Sequence, residues 1–159
     1  MKTFLSCISV YVLSSLPAGA SAAVWYVDAS VAESGDGRSQ LTAFKAIQEG
    51  IDAATDGDRV IVAQGTYVEN IRLKGDDIIL TSTNPFDRAV VGSTVIDGNK
   101  AGSVVTFAGT ETETCVLCGF TIQNGKADAG GGVCGGTADI QTYATIRNNV
   151  IVRNRADAG

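Results

Sequence analysis

The spacing of the apolar residues changes once along the chain, near residue 58. Before that point a helical stripe is formed by Phe44, Ile47, Ile51 and Ala54. This stripe predicts one short amphipathic helix, with Thr42 as its N-cap. The helix is expected to end before Gly57, a residue suited to the left-handed position that follows a helix.

After residue 58 the apolar residues alternate with polar ones in very short runs, which predict strands. Glycine and asparagine separate the runs, and both tolerate the positive φ of sharp turns. No later segment has a helical stripe, and residues 65–67 are interpreted as a turn. The predicted strand runs are Val60/Val62, Ile71/Leu73, Ile78/Leu80, Val104/Thr106, Phe120/Ile122, Ala144/Ile146 and Val150/Val152.

An internal repeat predicts how these strands are arranged. Residues 119–130 align with 149–159 when one residue is deleted, which matches Ile122 with Val152 and Asn124 with Asn154. A period of about 30 residues is typical of solenoids and propellers. A helical solenoid needs a helical stripe in each unit, and a propeller blade needs longer strands. We therefore expect an all-β fold, a parallel β-helix (solenoid), with like side chains stacked inside and turn asparagines stacked in ladders.

The short helix would cap the first coil of such a β-helix, which otherwise leaves backbone and core unpaired. The predicted organisation is a signal peptide at 1–22, an N-terminal strand and capping helix at 23–58, and the first coils at 59–159. The second copy of the repeat stops partway. We therefore expect an incomplete β-helix, truncated at its C-terminus, that can self-associate through its open last coil.

Several segments resemble right-handed parallel β-helix proteins of the pectate-lyase-like superfamily. The resemblance is carried by residues 35–37, 44–48, 57–67, 94–98, 119–125, 130–133 and 145–149. Some of the later segments are also similar to the repeats of polymorphic outer-membrane proteins. The resemblance implies a right-handed β-helix in a secreted bacterial repeat protein and an extracellular polysaccharide context. The superfamily contains lyases, hydrolases, esterases and non-catalytic surface proteins, so it implies no single reaction.

The first 22 residues have the features of a secretory signal peptide. Lys2 precedes an apolar stretch at residues 4–16, which is shorter than the ~20 residues that span a bilayer. Small residues at 20–22 form a cleavage site. We therefore expect a protein that is secreted or lies at the outer cell surface.

Composition excludes several kinds of chemistry. The chain has no histidine, which excludes imidazole catalysis and His-ligated zinc within it. Its formal net charge of −5 lacks the basic footprint of nucleic-acid binding. Residues 130–135 match G-x-G-x-x-G without the strand-to-helix context of a nucleotide site. We therefore expect neither nucleic acid nor nucleotide as a partner, and no cofactor is evident.

One pair of carboxylates raises the question of calcium. Lyases of the resembled superfamily act beside Ca²⁺ held by several carboxylates, with an Arg or Lys as base. Asp128 and Asp157 lie at equivalent repeat positions, with Lys126, Arg153 and Arg155 nearby. Because calcium takes 6 to 8 oxygen ligands, the alternative interpretation is a solvated loop.

Trp25, Tyr67 and Glu69 are the candidates for carbohydrate contact, because aromatic rings and carboxylates suit sugar faces and hydroxyls. The alternative for Tyr67 is packing in the core. The remaining acidic candidates are interpreted as turn or surface residues. These are Asp76, Asp77, Asp97, Glu111 and Glu113.

Three cysteines follow the predicted signal peptide. Cys115 and Cys118 form a C-x-x-C, but a strand is expected after it, whereas a redox motif opens a helix. We expect these two and Cys134 to be buried, small apolar side chains; a disulfide between Cys118 and Cys134 is the alternative in an oxidising compartment.

The leading functional hypothesis is a non-catalytic secreted or cell-surface β-helix repeat protein that contacts extracellular polysaccharide. The alternative is the N-terminal part of a calcium-dependent lyase acting on acidic polysaccharide. In that case the active face would lie in later coils.

Overall fold

A computed structural model describes residues 21–136 and 140–157. The predicted signal peptide lies outside these ranges except for its last two positions. In chain order the elements are β1 (Val24–Val27), a 3₁₀ helix (Gln40–Thr42), α1 (Ile47–Ala53), β2 (Arg59–Val62), β3 (Gly65–Val68), β4 (Ile71–Arg72), β5 (Ile79–Ser82), α2 (Arg88–Ser93), β6 (Thr94–Asp97), β7 (Val105–Phe107), β8 (Val116–Cys118), β9 (Thr121–Gln123), β10 (Lys126–Ala127), β11 (Val133–Gly135), β12 (Thr145–Arg147), β13 (Val150–Val152) and β14 (Arg155–Ala156).

The strands form parallel sheets, and every strand pair within the described ranges is parallel. The first sheet has the order β1-β2-β5-β8-β12, the second β3-β6-β9-β13 and the third β4-β7-β11, and β10 pairs with β14. From β2 onward the chain visits the first, second and third sheets in turn and then returns to the first, and β10 lies between the second and third sheets on the third passage. The described part of the protein is therefore all-β with little helix. Neither of its helices is long and apolar enough to cross a membrane.

Each sheet turns a row of apolar side chains toward a common core. In the second sheet Tyr67, Ile96 and Ile122 occupy the same position on adjacent strands and are all buried. Leu80 and Leu117 do the same in the first sheet. Complete burial of one such side chain stabilises the fold by roughly 1.5–3 kcal/mol.

Helix α1 packs on the end of the core at which β1, β2 and β4 lie. Ile47 and Ile51 of the predicted stripe are buried in the core, as expected. Gly50 sits so close to Val27 and Val60 that a side chain there would collide with both. This close approach allows α1 to pack directly on β1 and β2.

The predicted beginning of this helix is wrong. Thr42 ends the 3₁₀ helix, and α1 begins at Ile47. Phe44 lies outside the helix and forms an isolated parallel bridge with Val27. The N–H of Phe44 donates to the carbonyl of Tyr26 (2.9 Å), so this segment is held extended beside β1 and cannot start a helix.

Two further local predictions are wrong. Residues 65–67, expected as a turn, begin strand β3, in which Tyr67 pairs with Ile96. Helix α2 was not expected, because six residues are too few to produce a stripe. It is capped by Asp87, which accepts the N–H of Ala89 (2.8 Å), and anchored by buried Val91.

The register of the internal repeat differs by one position from the predicted alignment. Ile122 lies beside Ile151, and Gln123 beside Val152. The same offset continues from β9 and β13 into β10 and β14, so no residue is deleted between the copies. A shift of one residue exchanges the two faces of a strand, so Ile151, and not Val152, continues the inner row.

The predicted asparagine ladder is also wrong. Asn154 bonds to the main chain of the preceding turn, accepting the N–H of Gly125 (2.7 Å) and donating to the carbonyl of Ile122 (2.9 Å). Asn124 donates instead to the carboxylate of Asp97 (2.7 Å). The corrected register explains both bonds, since it sets Asn154 opposite Gly125.

One acidic residue interpreted as a turn or surface residue lies in a loop but is buried. Glu111 has no exposed area, and its carboxylate accepts the N–H groups of Ala108 (2.7 Å) and Gly109 (2.8 Å). These two charge-assisted hydrogen bonds satisfy the carboxylate inside the loop that follows β7.

Candidate functional site

The five strands of the first sheet end along one edge, because carboxyl ends of parallel strands meet on the same side. We call the residues that follow these strands the first-sheet edge. They begin with Asp28, Ala63, Thr83, Gly119 and Asn148. At ~4.8 Å between neighbouring strands, the edge runs about 19 Å from β1 to β12. Two clefts open along it.

The Tyr26 cleft has a volume of about 270 Å³ and draws its walls from β1, the 3₁₀ helix and the turns after β2 and β5. Tyr26 and Ile61 lie side by side on outward positions of the first sheet. Their neighbours are polar, and Asp28 is the charged group among them. The polar lining residues are Asp28, Gln40, Gln64 and Thr83.

The Phe86 cleft, of about 430 Å³, lies between the α2 segment and the turn that joins β12 to β13. The ring of Phe86 is 78% exposed. Arg88 stands beside it on one wall, and Asn148 and Asn149 form the other. Helix α2 is held against strand β9, because the hydroxyl of Thr121 donates to the carbonyl of Val91 (2.9 Å).

The two asparagines of the Phe86 cleft have different roles. Asn149 stabilises the fold: it accepts the N–H of Phe120 (2.9 Å) and donates to the carbonyl of Leu117 (2.9 Å). Asn148 is exposed, has a φ of 55°, and turns its amide toward the thiol of Cys118 (3.7 Å). Its carbonyl oxygen is therefore available to a ligand in the cleft.

Both clefts combine one aromatic ring with several neutral polar groups and a single charged residue, Asp28 or Arg88. An aromatic side chain offers a flat apolar face, whereas amides and hydroxyls donate and accept hydrogen bonds. This combination of groups is typical of binding sites in which an apolar surface contacts the ligand and a few polar groups fix its orientation. The arrangement suits a neutral, hydroxyl-rich ligand better than a highly charged one.

Comparisons with protein-family models, curated proteins and solved structures find no match. The ligand that the first-sheet edge can bind is therefore inferred from the residues of the edge alone.

Trp25, a predicted carbohydrate contact, is buried in the inner row of the first sheet. Its ring stacks on Phe44 with centroids 5.9 Å apart, and the guanidinium of Arg38 lies 3.9 Å from the ring centroid. Its indole N–H donates to Asp58 (3.2 Å). The ring and its polar atom are therefore engaged within the protein.

Asp58 ties the start of β1 to the turn that follows α1. Its carboxylate also accepts the N–H of Ala23 (2.6 Å) and both the N–H and hydroxyl of Thr55. Burial alone would raise the pKa of Asp58, but these hydrogen bonds outweigh burial and hold the pKa below its ordinary value.

Tyr67 and Glu69, the other predicted carbohydrate contacts, also serve the fold. The buried Tyr67 hydroxyl donates to the carbonyl of Ala63 (2.9 Å) and accepts the N–H of Ala29 (3.2 Å); burial raises its pKa to about 12. The carboxylate of Glu69 accepts the N–H groups of Ile47 (2.9 Å) and Gln48 (3.1 Å) at the start of α1.

Asp128 and Asp157 do not fit a calcium site. Asp157 contacts the guanidinium of Arg155 and the ammonium of Lys126, so cations already surround it. Asp128 is exposed. Among residues 21–136 and 140–157, no group of three or more acidic or cysteine side chains is placed to hold a metal ion.

The three cysteines are free thiols. Cys115 and Cys118 are buried, and Cys134 is half-buried. Cys118 lies in the first sheet and Cys134 in the third, without a disulfide between them. Burial, and next the charge of Glu111, raise the pKa of the Cys115 thiol to about 12, so it is unreactive at neutral pH.

The sequence alone does not predict the residues of either cleft. Their positions are far apart in the chain and show no local pattern. Two signals were present: Asn148 and Asn149 closely follow the predicted strand Ala144/Ile146, and a segment longer than an ordinary turn separates the predicted strands Ile78/Leu80 and Val104/Thr106. The second signal alone points to Phe86 and Arg88.

Proposed function

We propose that this chain is a secreted or cell-surface right-handed parallel β-helix that binds extracellular polysaccharide without catalysis. The cyclic passage of the chain through three parallel sheets supports the β-helix. The apolar stretch and small residues at 1–22 support secretion.

The observation that carries the binding function is the pair of clefts along the first-sheet edge. Each has an aromatic ring, Tyr26 or Phe86, beside hydrogen-bonding side chains from separate turns. A polymer can contact both clefts at once, and contacts repeated along one chain raise its affinity by effective concentration. A single small ligand would use only one cleft.

The first experiment measures retention of the protein on immobilised neutral and acidic polysaccharides. Phe86→Ala is expected to weaken binding about fivefold to tenfold, because an aromatic contact contributes roughly 1 kcal/mol. Leu41→Ala is the matched control, since Leu41 is 95% exposed and lies outside both clefts. Failure to bind any polysaccharide, or equal binding by the two variants, would contradict the proposal.

The non-catalytic part has its own test. Incubation with polygalacturonate or alginate, with and without Ca²⁺, is expected to release no unsaturated product that absorbs in the ultraviolet. Product formation would contradict the proposal and favour a lyase.

A further inference from the structure

Four cations of this acidic chain line one pocket. It has a volume of about 370 Å³ and lies between turns outside the first-sheet edge. The residues that line it are Lys100, Gly125, Lys126, Arg153 and Arg155. The chain has 12 Lys and Arg against 17 Asp and Glu, so a third of its cations gather at one place on a negatively charged protein.

The cations come from three stacked turns. Main-chain hydrogen bonds join each turn to the next and bring the four side chains around one space. These bonds run from Lys100 N to Asn124 O (2.7 Å), from Lys126 N to Gly102 O (2.9 Å) and from Arg155 N to Gly125 O (2.9 Å). The donors therefore approach the pocket from three separate segments of backbone.

The positive charge of the pocket is only partly balanced. Asp157 contacts Lys126 and Arg155 and supplies one carboxylate. Lys100 and Arg153 have no ion pair with any residue in the described ranges. The exposed Asp128, in the next segment, makes no ion pair with these residues either. An anion entering the pocket would meet two uncommitted cations.

The backbone at two of these cations is unusual. Lys100 and Arg153 have φ values of 59° and 56°, a conformation that long side chains adopt at a cost. In the preceding copy of the repeat, the position of Arg153 is held by Asn124 with a φ of 57°, and asparagine suits this conformation. An arginine at such a position is disfavoured for folding, which points to a role in binding.

We propose that the Lys100–Arg153 pocket binds a tetrahedral oxyanion, the sulfate or phosphate group of an ester. Donors from three segments suit oxygens that point in several directions, whereas a carboxylate offers two oxygens in one plane. Asp157 already supplies a carboxylate to Lys126 and Arg155. The pocket is independent of the clefts on the first-sheet edge.

Titration calorimetry of the full chain with inorganic sulfate, inorganic phosphate and acetate, at constant ionic strength, tests this proposal. The double variant Lys100→Asn/Arg153→Asn is expected to lose affinity for sulfate or phosphate by about tenfold per cation removed. Arg59→Gln, outside the pocket, is the control for loss of one positive charge and should bind like the parent protein. Binding of phosphate alone assigns a phosphate ester, and binding of sulfate assigns a sulfate ester.

The double variant also separates binding from folding. Because asparagine suits a positive φ, its melting temperature should equal or exceed that of the parent protein. Equal affinity for acetate and the tetrahedral anions, unchanged affinity in the double variant, or no anion binding by the parent protein would overturn the proposal. A lower melting temperature would overturn the argument from the backbone.

Discussion

The two ends of the core carry equivalent side chains in different surroundings. At the end beside β1, helix α1 lies over the core, and Ile47 is completely buried. At the other end Ile146 and Ile151 continue the inner rows of Leu117 and Ile122 but are 42% and 49% exposed. Leu117 and Ile122, one strand away, are buried.

The difference shows that an inward position is buried only when another layer lies over it. The residue type is the same at both places, since Ile122 and Ile151 are both isoleucine in paired strands. What differs is whether a strand or helix packs against the side chain on both sides. The stability contributed by an inward side chain therefore depends on the layers packed against it as much as on its own residue type.

The largest expected effect contrasts two isoleucines of one inner row. Ile122→Ala should lower the free energy of unfolding by about 3 kcal/mol, because it removes buried methyl groups and leaves a cavity. Ile151→Ala should change it by less than about 0.5 kcal/mol, as is usual for exposed positions. Urea unfolding of both variants provides the measurement. Equal losses would contradict the difference in burial between the two isoleucines.

A second contrast concerns carboxylates at the two ends. Asp58→Asn should cost about 2 kcal/mol, since it weakens hydrogen bonds to a charged, buried group. Asp157→Asn should cost at most about 0.5 kcal/mol, because its partners are exposed side chains. Urea unfolding at neutral pH gives both values, and a larger loss for Asp157→Asn would reverse the comparison.

The contribution of Asp58 should also depend on pH. Its pKa is lowered on folding, so its stabilisation is complete above the ordinary pKa of 3.8 and is lost as pH falls through the lower folded value. The stability difference between the parent protein and Asp58→Asn should therefore shrink in acid. A difference that grows on acidification would contradict the lowered pKa.

A smaller effect is expected where Glu69 fastens the covering helix. Glu69→Ala removes the acceptor for two N–H groups at the start of α1 and should cost about 1 kcal/mol, the usual value of a helix cap. Glu113→Ala, on an exposed loop, is the control and should be nearly neutral. Thermal unfolding followed by circular dichroism compares them. No difference would mean that Glu69 does not hold the helix.

Much of the fold could be predicted from the spacing of apolar residues. The burial of Ile47 and Ile51 followed from helical spacing, and the short strands followed from alternation. Strand β3 is not predicted from the sequence, because Gly65 at its start is a turn signal, although Tyr67 faces the core. Strands of two to four residues hold too little information to set a register, so a match of two asparagines misplaced Ile122 by one position.

The candidate site could not be predicted in the same way. By residue type alone, Trp25 and Glu69 are candidates for sugar contact. In the fold, however, Trp25 donates to the buried Asp58, and Glu69 accepts two backbone N–H groups at the start of α1. Phe86 and Asn148 line the same cleft only because the parallel strands that precede them end at one edge of the sheet. That proximity is a property of the sheet order, which no local pattern encodes.

Amide chemical shifts of the isotope-labelled protein, titrated with fragments of the polysaccharide that it retains, test the central claim most directly. We predict that the shifted signals belong to the first-sheet edge, with Asp28, Gln64, Phe86 and Asn148 among the largest changes. Shifts confined to the Lys100–Arg153 pocket, or scattered over the third sheet, would contradict the assignment of the edge as the polysaccharide-binding surface.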